Sequence, residues 1–312
     1  MKPGFYPASE LPMAQYLSDP CPEPSLSSGI IWDLITESPA HAHANHPKYG
    51  ALKSEDNDGT DMGQIAHALL LKGELKVCEI DPQMYRSKPT KDNPEGSVPA
   101  GWTNNAIREA RDQARDNGLI PVLKGSIQSA YDMVHEAQKF LPQSELAGLL
   151  DGGEGEITQI WLEESRLSSD PLRQFWGRAR HDWVNHEMRA RVSYKTTKMS
   201  ANPKTFIRTM VSMGYPEALA WYRRGFEAIV GVQEGWRDVI LVQEQRAPYA
   251  CSLISLDPGM WAIADQNVER AVRIWQNCVA WNKWPAYSPQ IHYATPSPWQ
   301  LAEAEAMGVG DE

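Results

Sequence analysis

The sequence of 312 residues has few cysteines, and they are widely separated. The four are Cys21, Cys78, Cys251 and Cys278, and no two of them form a CxxC pair. This spacing excludes the usual zinc and iron–sulfur motifs and favours reduced thiols. The chain also lacks a signal-peptide pattern at its N-terminus and any run of about 18 apolar residues. We therefore expect a cytoplasmic protein with no membrane partner.

The chain also has fewer basic residues than acidic ones. The chain has 30 Lys and Arg against 40 Asp and Glu, a net charge of −10. An acidic surface repels phosphate, which argues against a nonspecific nucleic-acid coat but allows an enzyme with a narrow basic channel. The most cationic predicted loop, residues 80–103, contains Arg86, Lys88 and Lys91. This loop is either simply solvated or a flap that contacts phosphate.

The patterns that are present divide the chain into parts. Residues 1–24 contain many prolines and predict an extended arm. Residues 25–312 contain no clear linker and predict one domain, whose 25–150 segment is mainly helical. Alternating apolar positions predict a sheet core over 151–255, and 256–312 predict a helix followed by an aromatic tail.

The stretch from Arg180 to Thr197 carries an acid and a lysine on two predicted adjacent strands joined by a short turn. Asp182 and Lys195 would then lie side by side at the edge of the sheet. Carboxylate oxygens suit Mg²⁺, and a neighbouring lysine can stabilise charge that develops on a phosphate. A surface ion pair of Asp182 with Arg178 or Arg180, beside a solvated Lys195, explains the same residues without any chemistry.

Two further candidate ligands precede this stretch. His67 lies in a helix predicted over Asp61–Leu75, between Ala66 and Ala68, whose small side chains allow a close approach. Glu156 opens the first predicted strand of the sheet core. Each residue alone is weak evidence, because a histidine within a helix is more often an ordinary core or surface residue.

Taken in order, these segments resemble the RecE-like exonuclease family (exodeoxyribonuclease VIII and its phage relatives) of the PD-(D/E)XK nuclease superfamily. The matching segments are SLSSGIIWDLITESPAH, GQIAHALLL, GEITQIW, RHDWV, VSYKTT and GYPEALAWY, with further counterparts in VQEQRAPY and WPAYS. The resemblance covers most of the chain. It implies an α/β fold with a PD-(D/E)XK restriction-endonuclease-like core, a mixed central sheet flanked by helices, and an N-terminal helical extension.

The resemblance also implies roles for individual residues. His67, Glu156 and Asp182 match positions that bind Mg²⁺ or Mn²⁺ in the family. Lys195 matches the catalytic lysine, and Ser193 stands where the family has its second metal-binding acid. The candidate DNA-binding residues are Arg178, Arg180, Thr196, Lys198, Tyr222 and Arg223.

The family implies a metal-dependent exonuclease that digests one strand of linear double-stranded DNA in the 5′-to-3′ direction. Its members often form ring-shaped homo-oligomers and act beside a single-strand annealing protein in phage recombination. We therefore expect DNA ends as the substrate and a phage or prophage origin in a bacterial host. A structural phage protein that docks another chain through its tryptophans is a competing hypothesis, and it predicts no DNA binding even at low salt.

The sequence departs from the family pattern at Ser193, at Ala218 where a glutamine is usual, and at His181 where a proline is usual. A serine hydroxyl is a poor Mg²⁺ ligand, which removes one negative charge from the site. Three accounts of Ser193 stay open. It is a deliberate substitution, or it marks a degenerate nuclease that binds DNA ends or a protein without cleaving, or Glu187 or Glu217 replaces the missing acid.

Overall fold

The computed structural model describes residues 1–50, 58–71, 73, 75–91, 93–164, 173–232 and 234–307. The strands are β1 (Gly4–Tyr6), β2 (Ser25–Leu26), β3 (Val77–Ile80), β4 (Ile120–Leu123), β5 (Glu154–Glu164), β6 (Gln174–Asn185), β7 (Ala190–Thr197), β8 (Arg237–Glu244) and β9 (Cys251–Ile254). The helices are α1 (Met13–Leu17), α2 (Ser28–Thr36), α3 (Pro39–Ala44), α4 (Asp58–Leu70), α5 (Asn105–Asp116), α6 (Ile127–Phe140), α7 (Pro203–Ser212), α8 (Tyr215–Val230), α9 (Pro258–Trp281) and α10 (Pro298–Ala306). The predicted α/β class, with a mixed central sheet flanked by helices, is confirmed.

Within the described ranges the central sheet has seven strands in the order β1-β5-β6-β7-β8-β9, with β2 beside β6. Neighbours are antiparallel except β7 with β8 and β2 with β6. Helices α7 and α8 form the connection from β7 to β8, because parallel neighbours need a long crossover. Strand β6 pairs with β2 at Trp176–Gly177 and with β7 at Trp183–Asn185. Between these stretches no described strand pairs with that edge of β6, and the sheet opens there.

The hairpin of β6 and β7 forms where the alternating pattern predicts it. Asn185 accepts a hydrogen bond from the Met188 backbone N–H at 2.9 Å, and Arg189 takes a left-handed conformation with φ of 48°. These two features turn the chain within four residues. The predicted placement of Asp182 and Lys195 on adjacent strands is therefore correct.

Buried aromatic side chains join the helices to the sheet. Trp161 of β5 and Trp221 of α8 are fully buried, with their ring centroids 4.7 Å apart. A Cβ on either Gly177 or Gly225 would lie 2.4 Å from the Trp161 ring. Only glycine therefore fits at these two points, and α8 packs closely on β5 and β6. Helices α2 and α9 pack on the same core, whereas α4 and α6 cover the opposite face.

Residues 1–24 differ from the predicted extended arm, because part of this segment joins the sheet. Strand β1 pairs with β5 at the sheet edge, and Leu11 is fully buried against Ile160. Asp19 adopts a left-handed φ of 61° and bonds to the backbone N–H groups of Cys21 and Ser25. The prolines predict extended backbone but do not reveal these partners, some of which lie far along the chain.

A second, two-stranded sheet was not expected from the sequence. Strands β3 and β4 pair in parallel, with α5 between them in the chain. The predicted 80–103 loop contains a short 3₁₀ helix at Pro82–Tyr85, and Arg86 bonds to Gln83 and to the carbonyls of Glu95 and Gly96. No helix in the described ranges is both long enough and apolar enough to cross a bilayer.

Candidate active site

Four of the predicted site residues meet at the floor of an open cleft of about 1460 Å³. We call His67, Glu156, Asp182 and Lys195 the cleft cluster. His67 Nδ1 lies 3.1 Å from Glu156 Oε1, and His67 Nε2 lies 3.5 Å from Asp182 Oδ1. Lys195 Nζ lies 3.2 Å from Asp182 Oδ2. Their side chains are 16–32% exposed, so solvent reaches a group that is otherwise enclosed.

Three strands and one helix bring the cluster together. The register places Gly155 opposite Trp183 and Ile157 opposite His181, so Glu156 and Asp182 face each other across β5 and β6. Glu156 has a φ of 57°. This left-handed conformation is uncommon for a residue with a long side chain, and such outliers often occur at functional sites.

Asp182 and Lys195 each stabilise the charged form of the other. Burial alone raises the pKa of Asp182, but Lys195 and His67 lower it more, so its pKa lies well below the ordinary range. Burial lowers the pKa of Lys195, but the Asp182 carboxylate raises it more, and the net direction is upward. The Tyr194 backbone N–H also donates to Asp182 at 2.8 Å. Lys195 is therefore a cation at neutral pH, suited to stabilising negative charge rather than to accepting a proton.

His67 lies between two carboxylates, and their negative charge favours the protonated form of its ring. Burial lowers the pKa of His67, but the hydrogen bond and charge of Asp182, together with the charge of Glu156, raise it above the ordinary value. Each ring nitrogen faces a different carboxylate. A protonated ring with two N–H donors satisfies both.

The donor set of the cluster fits a hard divalent cation. Mg²⁺ binds through one or two carboxylates and keeps several waters, and Glu156 and Asp182 each direct one oxygen to a ring nitrogen of His67. Among the described residues no group of three or more His, Cys, Asp and Glu side chains surrounds one point. The two carboxylates are therefore the main candidate ligands, and a cation there would compete with the charged imidazole of His67.

Arg180, a predicted DNA contact, lines the cleft but is almost fully buried, and its guanidinium bonds to protein groups. It donates to Glu156 Oε2 at 2.6 Å, to Thr158 at 2.7 Å and to the Leu11 carbonyl at 2.9 Å, and it is 6% exposed. These bonds use its guanidinium to hold the Glu156 carboxylate in place. Arg178 is likewise 4% exposed and bonds to Ser25 and Asp19. The structure therefore places both arginines among internal partners.

The other four predicted DNA contacts differ in position. Lys198 is exposed and lines the cleft, whereas Thr196 lines it with its hydroxyl bonded to Gln245 at 2.8 Å. Tyr222 is half-buried near Lys195, and burial raises the pKa of its phenol. Arg223 lies outside the cleft, where it bonds to Asp265 and stacks on Trp261.

Ser193 is buried and precedes Lys195 by two residues on β7. The acids considered as its replacement lie elsewhere. Glu217 bonds to Asn267 of α9 at 2.8 Å, and Glu187 lies in the β6–β7 turn beside Gly152. Neither is among the described residues that line the cleft. The cluster as described therefore has two carboxylates.

His181 stands beside the cluster, in the position where the resembling family has proline. It bonds to Gln159 at 2.9 Å and packs against the edge of Tyr222. Burial, with help from the Arg191 charge, lowers its pKa to about 3. His181 is therefore a neutral residue that supports the sheet under Asp182.

Several site residues were missed in the sequence. They are the Tyr194 amide, Thr158, Leu11 and Gln245, which act through contacts with the predicted residues. The sequence did contain a signal for the pairing of Arg180 with Glu156. Arg178, Arg180 and Asp182 alternate along one strand and so share a face of the sheet, where a glutamate on the adjacent strand can pair with an arginine.

No protein-family model and no curated protein matches this chain. Among solved structures, a candidate exonuclease from Eubacterium rectale is 9% identical with a TM-score of 0.48, over 95% of this chain and 97% of that chain. The protein SSO0001 is 12% identical with a TM-score of 0.25, over 70% of this chain and 87% of that chain. A similarity of this degree does not establish a shared fold or activity.

Proposed function

We propose that this protein is a divalent-metal-dependent nuclease that hydrolyses phosphodiester bonds of DNA in the cleft above β6 and β7. The observation that carries the proposal is the cleft cluster, where two carboxylates, an imidazole and a charged lysine share a solvent-accessible floor. Lys198, an exposed cation, lines the same cleft. A phosphodiester needs positive charge around its oxygens, and Lys195, Lys198 and a bound divalent cation would provide it in this acidic protein.

Glu156 and Asp182 would hold the cation, and His67 would join them as a ligand only after losing its ring proton. When bound, the cation would polarise the phosphodiester and lower the pKa of a bound water. The remaining contribution comes from the chain itself. Lys195 stabilises the negative charge that grows on the phosphate oxygens, and the Tyr194 amide keeps Asp182 oriented. Arg180 keeps Glu156 facing the cleft, because it binds the carboxylate oxygen that does not face His67.

The finer parts of the proposal are supported by the sequence resemblance to RecE-like exonucleases. They are the use of Mg²⁺ or Mn²⁺, linear double-stranded DNA as substrate, and 5′-to-3′ digestion in phage recombination. A ring-shaped homo-oligomer and a single-strand annealing partner belong to the same proposal.

The test is a titration with Mg²⁺ and with Mn²⁺ on linear duplex DNA labelled at the 5′ end, at the 3′ end or internally. We expect the parent to release 5′-labelled nucleotides first and Asp182→Ala to release none. Circular duplex should be resistant. Lys139→Met is the matched control, because Lys139 forms a surface pair with Glu136 far from the cleft. Equal cleavage by the parent and Asp182→Ala would contradict the proposal.

A second candidate function is a nuclease-like protein that binds DNA ends or a protein partner without cleaving. The observation that favours it is Ser193, since neither Glu187 nor Glu217 lies in the cleft to replace an acid. Ser193→Asp separates the two functions. If the parent binds DNA without cleaving it and Ser193→Asp cleaves with unchanged DNA affinity, the second function is correct.

A further inference from the structure

Helix α4 presents three residues of one stripe to the sheet. Gly63, His67 and Leu71 are spaced four apart, which places them on the same side of a helix. Leu71 directly follows α4, and its N–H bonds to the His67 carbonyl at 3.0 Å, so it continues the helical turn. His67 is the middle member of the stripe and the one that reaches both carboxylates of the cleft cluster.

At the first end of the stripe, Gly63 touches β7. A Cβ on Gly63 would lie 2.7 Å from Thr196 Oγ1, a separation that real Cβ atoms essentially never show. Thr196 is held where it is, because Gln245 Nε2 donates to its hydroxyl at 2.8 Å. An added methyl group therefore has to lift the helix or break the Thr196–Gln245 bond.

At the Leu71 end of the stripe, the close contact is made by a glycine of the sheet, Gly155. A Cβ on Gly155 of β5 would lie 2.9 Å from the Leu71 carbonyl oxygen and 3.3 Å from the Trp183 ring. A backbone oxygen cannot rotate away as a side chain can. The φ of Gly155 lies outside the left-handed region, so this position needs glycine for space rather than for conformation.

We propose that Gly63 and Gly155 are positioning residues that set the depth of α4 over the sheet and thereby hold His67 between Glu156 and Asp182. The contacts of His67 leave little room, because its longer one is already 3.5 Å and hydrogen bonds weaken beyond this length. The effect of these glycines on catalysis rests on the proposed nuclease function, whereas their effect on the position of His67 does not.

The test compares crystal structures of the parent, Gly63→Ala, Thr196→Ala and the double variant Gly63→Ala/Thr196→Ala. We expect Gly63→Ala to move α4 away from β7 and to lengthen the separation of His67 from Asp182. The double variant should restore both, because the nearest obstructing atom is gone. Gly29→Ala is the matched control, since Gly29 lies in α2 and its added Cβ meets nothing within 4 Å.

Gly155→Ala is the second variant, and it should raise the other end of α4. In the nuclease assay kcat should fall about 100-fold in Gly63→Ala, the effect expected of a misplacement of about 1 Å, with KM little changed. Because Thr196 is itself a candidate DNA contact, the double variant is compared with Thr196→Ala, and its kcat should match that of this single variant. A Gly63→Ala structure with α4 and His67 unmoved would overturn the proposal. If the parent itself does not cleave DNA, the nuclease function fails while the crystal structures still decide the placement of His67.

Discussion

Among the described residues, two of the clusters that combine a histidine, a carboxylate and a cation differ sharply in their exposure to solvent. The cleft cluster is 16–32% exposed. The second cluster, which we call the buried cluster, consists of Asp19, Ser25, His46 and Arg178, and each side chain is at most 5% exposed. Asp19 lies 3.2 Å from Arg178 and 3.4 Å from His46, so similar residue types pair at similar distances in both places.

The two histidines show what the difference in surroundings does. Burial lowers the pKa of His46 below the ordinary value, and the neighbouring Asp19 does not reverse that effect. For His67, two carboxylates outweigh burial and raise the pKa. In the buried cluster most polar groups bond to one another and hold the N-terminal segment against β6, although Arg178 Nε has no hydrogen-bond partner among the described residues. The cleft cluster keeps its charges at a surface that a substrate can reach, which permits chemistry.

The largest expected effect is the loss of stability when the buried cluster loses its anion. Asp19→Asn keeps a side chain that tolerates a left-handed φ but leaves Arg178 buried without an opposite charge. We expect the free energy of unfolding to fall by about 3–5 kcal/mol, measured by urea denaturation. Asp265→Asn, which breaks the exposed pair with Arg223, should cost about 1 kcal/mol or less. Similar losses in both variants would contradict the view that burial makes the pair of Asp19 with Arg178 more costly to break than an exposed pair.

The next effect concerns the cleft cluster and activity rather than stability. Lys195→Met should lower kcat for DNA cleavage about 100- to 1000-fold, because a preorganised charge at the phosphate is lost. Its free energy of unfolding should change little, since Asp182 keeps the Tyr194 amide and access to solvent. Lys139→Met removes a surface lysine of similar pairing and should leave cleavage unchanged. A large loss of stability in Lys195→Met would mean that the cleft cluster is structural too.

The third prediction concerns His181, whose pKa is lowered by burial. It asks whether such a histidine makes the stability of the fold depend on pH. Its folded pKa of about 3 lies below the unfolded value, which is about 6.5. Between these values the unfolded chain binds a proton that the folded chain does not, so stability falls as pH decreases below about 6.5. The slope from this group is at most about 1.4 kcal/mol per pH unit. His181→Gln should flatten the measured dependence between about pH 6.5 and 4.5, whereas the exposed His135→Gln should not.

The smallest expected effect lies at the cleft wall. Lys198→Ala removes one exposed cation, so DNA affinity should fall slightly and its logarithmic salt dependence should become shallower by about 0.9. Fluorescence anisotropy of labelled duplex over a salt series measures both quantities. Lys139→Ala should leave the slope unchanged. An unaltered slope in Lys198→Ala would show that this side of the cleft does not contact phosphate.

The sequence predicts those parts of the molecule that depend on local patterns. The β6–β7 hairpin was predicted correctly because its alternation and its turn lie within about two dozen residues. The pairing of Asp182 with Lys195 follows from that hairpin. The meeting of His67 with Glu156 and Asp182 was predicted only through the order of family-like segments, since nothing local connects α4 to the sheet.

The burial of Arg178 and Arg180 and their hydrogen-bond partners could not be predicted from local sequence patterns. Their partners Ser25 and Leu11 are separated from them by 153 and 169 positions. An arginine on an amphipathic strand is usually exposed, and only the packing of the N-terminal segment changes that outcome. The two parallel strands β3 and β4 were also missed, because each has only four residues and little alternation.

The long separation between Leu11 and Arg180 has a consequence for how the chain folds. Ribosomes make β1 and Leu11 before β5 and β6, so β1 and Leu11 contact their partners only after those strands have emerged. Contacts between residues so distant in sequence form slowly, because a long loop must close before they are made. Leu11 is therefore among the last residues to reach its final position, and the arginine that holds the Glu156 carboxylate acquires its full set of bonds only at that stage.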